Sequence, residues 1–213
     1  MTNKEQFKKG RLEVICGSMF SGKTEELLRR LKRAEYAKQN VLALKHHLDK
    51  KRNITSPSNI TSHQGTERFA FMVGDNAISV EKIFELANRN IDVVGIDEIQ
   101  FFSPDIIDII YTLIDQGKRV IVAGLDLDFR GEPFGIMPIL LSIADEVTKL
   151  KAICIVCGND AHHTQRIING IPAKYSDPII LIGATECYEA RCRNCFIIDK
   201  TPVSSYKQSE KQM

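Results

Sequence analysis

The sequence predicts an α/β fold, a mostly parallel sheet flanked by helices, with a small cysteine-bearing module at the C-terminus. Three observations carry this. Short apolar runs alternate with helical stretches over residues 12–124. A glycine-rich loop joins the first run to the first helix. After about Lys151, paired cysteines, a Gly-Ile-Pro turn and short strand-like runs replace that rhythm.

The elements follow in order. Leu12 to Cys16 reads as a partly β-branched strand that stops at Gly17. Leu27, Leu28, Leu31, Ala34 and Tyr36 recur at near-helical spacing up to Gln39. Val41 to Lys45 reads as the second strand, which completes a βαβ unit. Phe69 to Val73, Asp92 to Ile96 and Arg119 to Gly124 read as further buried strands. Helical patterns lie between them at Val80 to Arg89 and at Pro104 to Gln116, where Pro104 suits a first helical turn. Leu48 to Arg68 is rich in Ser, Thr, Asn and Lys and reads as a long loop, a kind that is commonly functional or mobile. The expected organisation is an α/β domain over 1–150, a cysteine-bearing domain over 151–198 and a polar, disordered tail over 199–213.

Composition narrows the function. Hydrophobic residues make up 43% of the 213 and charged residues 26%, ordinary for a soluble domain. A formal net charge of +2 leaves no strong electrostatic footprint for nucleic acid or membrane. No run approaches the roughly 18 apolar residues of a membrane span. Met1 to Arg11 lacks the apolar segment of a signal peptide, so a cytoplasmic location is the default expectation. Six cysteines there suggest a metal site or thiols rather than disulfides.

Residues Gly17-Ser18-Met19-Phe20-Ser21-Gly22-Lys23-Thr24 match G-x-x-x-x-G-K-T. Glycines let the backbone curl so that several N–H groups meet phosphate oxygens, and the helix N-terminus favours the anion. Lys23 can reach the β- and γ-phosphates of ATP, and the Thr24 hydroxyl can sit on Mg²⁺. The strand before and the helix after distinguish the loop from a chance glycine-rich turn, and make the first domain P-loop NTPase-like. Val93-Val94-Gly95-Ile96-Asp97-Glu98 is an apolar strand ending in two carboxylates. Asp97 can hold the magnesium and Glu98 can take a proton from the nucleophile. The plainer alternative is that both acids cap the following helix. These motifs leave open whether the acceptor is water or a hydroxyl.

Cys154-Ile155-Val156-Cys157 and Cys192-Arg193-Asn194-Cys195 are two C-x-x-C pairs separated by 34 residues. Two such knuckles supply four thiolates for a closed, structural Zn²⁺ site. A redox dithiol and a DNA-binding zinc ribbon are the alternatives; between the pairs there is no basic cluster, only Arg166, Lys174 and Arg191. Cys16 reads as a buried, inert thiol, and Cys187 has no assignment.

These motifs in this order, with Asp97-Glu98-Ile99-Gln100-Phe101-Phe102, Gly124-Leu125-Asp126-Leu127-Asp128-Phe129 and the stretch Tyr175 to Cys195, resemble the cytosolic, zinc-containing thymidine kinase family. The match runs from Leu12 to about Ile198. The resemblance implies transfer of the γ-phosphate of ATP to the 5′-hydroxyl of thymidine, and of deoxyuridine, with Glu98 as base and Thr24 and Asp97 at the magnesium. Ile179, Ile180, Leu181, Ile182 and Gly183 match the family's lasso, whose main chain grips the base, and Tyr188 helps to hold it. Met19, Phe101, Leu125, Phe129, Phe134 and Thr164 match positions lining the thymine pocket. The resemblance also implies a homotetramer and inhibition by the end product dTTP. The family often has Asp-x-Arg after its second strand; Asp49-Lys50-Lys51-Arg52 places Lys at the Arg position, and Lys51 and Arg52 remain alternatives for contacting the transferred phosphate. The rival readings are a P-loop ATPase acting on nucleic acid, with a zinc ribbon, and a non-enzymatic zinc-ribbon binding module.

Overall fold

The computed structural model describes residues 9–46, 59–61, 67–73, 80–87, 90–180 and 186–199. In chain order its elements begin with β1 (Arg11–Cys16), α1 (Lys23–Tyr36), β2 (Val41–His46), β3 (Asn59–Thr61), β4 (Glu67–Phe69), β5 (Phe71–Val73) and α2 (Val80–Ala87). There follow β6 (Val93–Asp97), a 3-10 turn at Ile99–Phe101, α3 (Ile106–Asp115), β7 (Arg119–Gly124), α4 (Met137–Ile143) and β8 (Glu146–Lys149). The last part holds β9 (Ala152–Ile153), β10 (Asp160–Ala161), β11 (His163–Ile168), β12 (Ile171–Pro172) and β13 (Glu186–Arg191).

The main sheet has six strands in the order β5-β2-β6-β7-β1-β8. Every pairing in it is parallel. This is the P-loop NTPase-like sheet flanked by helices that the alternation predicts. Strand side chains alternate between the faces. On β1, Leu12, Val14 and Cys16 join one core cluster with residues of α2, α3 and α4. Ile15 joins the other, with Leu27, Leu28, Leu31 and Ala34 of α1. The same alternation sends Val94 and Ile96 of β6 toward the three-helix face. Val93, Gly95 and Asp97 therefore face α1. A Cβ on Gly95 would stand 2.7 Å from Leu31 Cδ1, so the glycine lets α1 lie close on the sheet.

Four details differ from the sequence expectation. Phe69 to Val73 is not one strand: the chain changes partner at Ala70, with β4 antiparallel to β3 and β5 parallel to β2. Periodicity cannot show a change of partner. The 48–68 stretch therefore contains β3 and the start of β4, while most of it, including Lys51 and Arg52, lies outside the described residues. Pro104 precedes α3 in a turn closed by Ile106 N–H to the Ser103 carbonyl at 3.2 Å. Finally, α4 and β8 were not anticipated, because Met137–Ile143 is too short and too uniformly apolar to show a helical period.

Beyond residue 150, β9 pairs with β10, and β11 pairs with β12 and β13. A small core of Ala152, Cys154, Ala161, Ala190 and Cys192 holds this part together. The expected tail lies outside the described residues apart from Asp199. No helix among the described residues is long and apolar enough to cross a membrane.

Candidate active site

The phosphate loop leaves β1 and enters α1 through two glycines that no other residue replaces easily. Gly17 has φ +142, and a Cβ there would meet the Leu150 carbonyl oxygen at 2.4 Å. Gly22, at φ +85, caps α1 in the left-handed region. Inside the loop, Lys23 Nζ donates to the Ser18 carbonyl at 2.8 Å. Ser21 Oγ is buried and has no hydrogen-bond partner among the described residues. Phe20 is half exposed. The loop is anchored outside the main sheet as well. Met19 N–H donates to Thr164 Oγ1 at 3.0 Å, and Ser18 Oγ donates to the Ala161 carbonyl at 3.3 Å.

Because Asp97 faces α1, it meets Thr24, whose hydroxyl donates to Asp97 Oδ2 at 3.1 Å. A hydroxyl and a carboxylate side by side form an oxygen-only donor set suited to a hard cation such as magnesium. Lys45, in register with Asp97 on the neighbouring strand, is 1% exposed and donates to the Asn59 carbonyl. The chain turns sharply at Glu98, which has φ +53, a conformation uncommon for a residue with a side chain. Asp97 Oδ1 accepts the Glu98 N–H at 3.0 Å and supports that turn. Gln100, buried in the 3-10 turn, donates from Nε2 to Glu98 Oε2. With its amide oxygen it accepts the Leu125 N–H at 3.1 Å. One side chain thus connects the Glu98 carboxylate to the end of β7.

The residues matched to a base pocket fall into three contacts. Phe101 meets Phe134 edge to face, with ring centroids 5.5 Å apart. Met19 meets Thr164 as above. Phe129 and Tyr188 flank Arg166, whose guanidinium carbon lies 4.0 Å and 5.5 Å from their ring centroids. Arg166 is itself buried and donates to the Pro178 carbonyl at 2.6 Å and to the Ile179 carbonyl. Leu125 and Phe129 are buried, whereas Ile179 and Ile180 are exposed. Leu181, Ile182 and Gly183 lie outside the described residues. Asp126, beside Leu125, is buried and bound by Lys149 at 2.7 Å. Burial, and then the negative charge of Asp126, push the nearby Cys16 thiol up to about 11, so it stays protonated.

The sulfur atoms of Cys154, Cys157, Cys192 and Cys195 all lie within 4.8 Å of one another, with Cys157 and Cys192 at 3.5 Å. A tetrahedral zinc with bonds of about 2.3 Å would place its sulfurs about 3.8 Å apart, so the cluster fits such an ion. Backbone turns shape each knuckle: Gly158 N–H donates to the Cys154 carbonyl at 2.9 Å, and Phe196 N–H to the Cys192 carbonyl at 3.0 Å.

Gln100, Arg166 and Lys45 make contacts in this geometry that the sequence pattern alone does not assign. Gln100 lies inside a quoted motif, and its position two residues after Glu98 was the available signal. Arg166 sits in the polar run His163-Thr164-Gln165-Arg166, all of it buried, which gave no apolar period to read.

The model of the family described as "Thymidine kinase" matches residues 10–196. A thymidine kinase of Coprothermobacter proteolyticus is 58% identical over 186 residues, covering 86% of this chain and 88% of that protein. Among solved structures, the replication initiator DnaA bound to AMPPCP and single-stranded DNA aligns at 16% identity with a TM-score of 0.41, over 69% of this chain and 42% of that one. Domain III of the Thermotoga maritima DnaA aligns at 15% identity and 0.39, over 70% and 57%. This chain thus spans about half the length of those structures, and likenesses of that size carry no weight for function. The family match over nearly the whole described chain and the 58% identity are decisive: this chain belongs to the thymidine kinase family.

Proposed function

We propose that this kinase transfers the γ-phosphoryl group of ATP to the 5′-hydroxyl of thymidine, and of deoxyuridine, in cytoplasmic salvage of pyrimidine deoxynucleotides. We read 1–150 as the ATP-binding domain and 151–198 as a zinc-bearing, nucleoside-binding domain. The observation that carries the reading is the Glu98–Gln100–Leu125 chain of hydrogen bonds. It ties a carboxylate beside the Thr24–Asp97 pair to the wall of an apolar group of residues. An ATPase needs only water near the γ-phosphate, whereas an apolar wall beside the base suits an organic acceptor.

In this reading the backbone of 17–22 and Lys23 hold the phosphates, and the unpartnered Ser21 hydroxyl has a phosphate oxygen to meet. Thr24 and Asp97 would hold magnesium, which neutralises phosphate charge when bound. Glu98 orients the 5′-hydroxyl and removes its proton as the oxygen attacks the γ-phosphorus in line, with ADP leaving. Met19, Phe101, Leu125, Phe129, Phe134, Thr164 and Tyr188 surround the base, and main-chain groups from Ile179 onward read its edge. The four cysteines hold structural zinc. Family membership further suggests a homotetramer and inhibition by dTTP in the nucleoside pocket.

The test is ADP release with and without each nucleoside. Thymidine and deoxyuridine should stimulate it, and purine nucleosides should not. Deoxycytidine presents a 4-amino donor where thymine presents an acceptor, and a buried unpaired polar group costs about 1–3 kcal/mol. Release that no nucleoside changes, or that single-stranded DNA stimulates, would replace the kinase reading with an ATPase.

A further inference from the structure

Two buried or half-buried arginines close on one short stretch of backbone. Arg166 lies on β11 and is 2% exposed. It donates to the carbonyls of Pro178 and Ile179. Arg130 donates to the preceding carbonyl, Asp177, at 2.7 Å. Three successive carbonyls therefore face two guanidiniums. Phe129 lies between them, 4.0 Å from the Arg166 guanidinium carbon and 5.5 Å from that of Arg130. Arg130 also covers Tyr175, at 5.1 Å. Across the β11–β13 ladder the residue directly opposite Arg166 is Tyr188, and their side chains meet at 5.5 Å.

We propose that Arg166, assisted by Arg130, is a positioning residue that sets nucleoside affinity by locking Phe129, Tyr188 and the Asp177–Ile179 backbone into one unit. A guanidinium out of water requires acceptors for its N–H groups, and here the carbonyls of Asp177–Ile179 supply them to the terminal nitrogens while that segment lies down on β11. The aromatic faces of Phe129 and Tyr188 are drawn to the same charge. Ring and backbone positions thus depend on one side chain. Thr164, two residues earlier on the same face of β11, anchors the phosphate loop through Met19. One face of one strand therefore serves both halves of the site. Lysine cannot replace Arg166, because a single ammonium can neither span two carbonyls in a planar fork nor lie flat on a ring. The inference rests on the thymidine kinase reading, in which Phe129, Tyr188 and Ile179 touch the nucleoside.

The test is steady-state kinetics of the full chain with Arg166→Lys, Arg166→Gln and Arg130→Gln, each checked for a cooperative thermal melt. For the Arg166 variants the thymidine KM should rise about ten- to a hundredfold. Their kcat should fall less than about threefold and their ATP KM should change less than about twofold, the pattern of lost uniform binding. Arg130→Gln should show a smaller rise of about three- to tenfold, and it carries the test if the Arg166 variants do not fold. An unchanged thymidine KM in a folded variant overturns the proposal, and so does an equal rise in the ATP KM. A parent protein without thymidine turnover overturns the kinase reading itself; a turning-over parent with insensitive variants overturns only the arginine inference.

Discussion

The backbone N–H of Met19 donates to the hydroxyl of Thr164 at 3.0 Å, across 145 residues of chain. The phosphate loop and β11 are therefore one piece of structure. Replacing Thr164 by Val keeps the volume and leaves that N–H without its acceptor, at a cost of about 1–3 kcal/mol. Thr164→Val should lower the melting temperature and raise KM for ATP and thymidine together, and Thr164→Ser should restore both. A Val variant indistinguishable from the parent would mean that the bond does not matter.

Glu98→Gln keeps the shape of the turn and removes the proposed proton acceptor. General-base catalysis is typically worth about 10²–10⁴-fold, so kcat should fall within that range while thymidine affinity changes little. Asp97→Asn should act differently and raise the magnesium requirement, since it weakens the oxygen pair with Thr24. A Glu98→Gln kcat within about a factor of two of the parent would make Glu98 a structural turn residue and place the base elsewhere.

Lys23→Ala should abolish turnover and leave the melting temperature near that of the parent. The ammonium lies in the loop, donating to the Ser18 carbonyl, and is outside both main core clusters. Normal turnover in this variant would show that the loop is not the phosphate site.

Metal analysis of protein purified without chelator should return one zinc per chain. Stripping it should loosen Cys154–Cys195 and weaken nucleoside binding before it disturbs the parallel sheet, because a structural zinc contributes directly to folding of its own ligands. Protein free of zinc that melts and turns over normally would refute the assignment.

Acid should weaken the junction between α1 and the sheet. Hydrogen bonding to Arg29 first, opposed by burial and reinforced by Arg30, holds Glu26 down to about 2, against an ordinary 4.5. For Glu13 on β1, burial pushes the carboxyl upward, but hydrogen bonds and charge from Arg119 and Arg30 outweigh it, so it too is lowered. A lowered carboxylate stabilises the fold above its unfolded value, and that contribution is lost as pH falls through the folded one. Stability should thus decline from about pH 4.5 toward 2. Glu13→Ala leaves the buried Arg30 short of a partner and should cost about 3–5 kcal/mol in urea unfolding at neutral pH. An unchanged unfolding midpoint would show that Glu26, Glu146 and Thr148 suffice for Arg30.

The sheet and phosphate loop could be read from the sequence because their signals are local. Gly17 and Gly22 answer to backbone angles within the loop, and Leu27, Leu28, Leu31 and Ala34 answer to the period of one helix. The cysteine pairs were legible for the same reason, since each knuckle closes over four residues. Gln100 was visible but mute: its two partners, Glu98 and Leu125, meet only because β6 and β7 are neighbours in the sheet. Lys51, Arg52 and Leu181 to Gly183 lie outside the described residues.

By itself, the sequence determined the kinds and order of the main elements, the phosphate loop, the Asp97–Glu98 strand end and the four thiols. Periodicity and short spacings act between near neighbours, so they survive without knowledge of the fold. Tertiary structure alone decided that Asp97 would face Thr24, that Thr164 would hold Met19, and that Arg166 would be buried between Phe129 and Tyr188. Each of those contacts joins segments far apart in the chain. They exist because of the strand order β5-β2-β6-β7-β1-β8 and the β11–β13 register, which the pattern of apolar and polar residues does not encode.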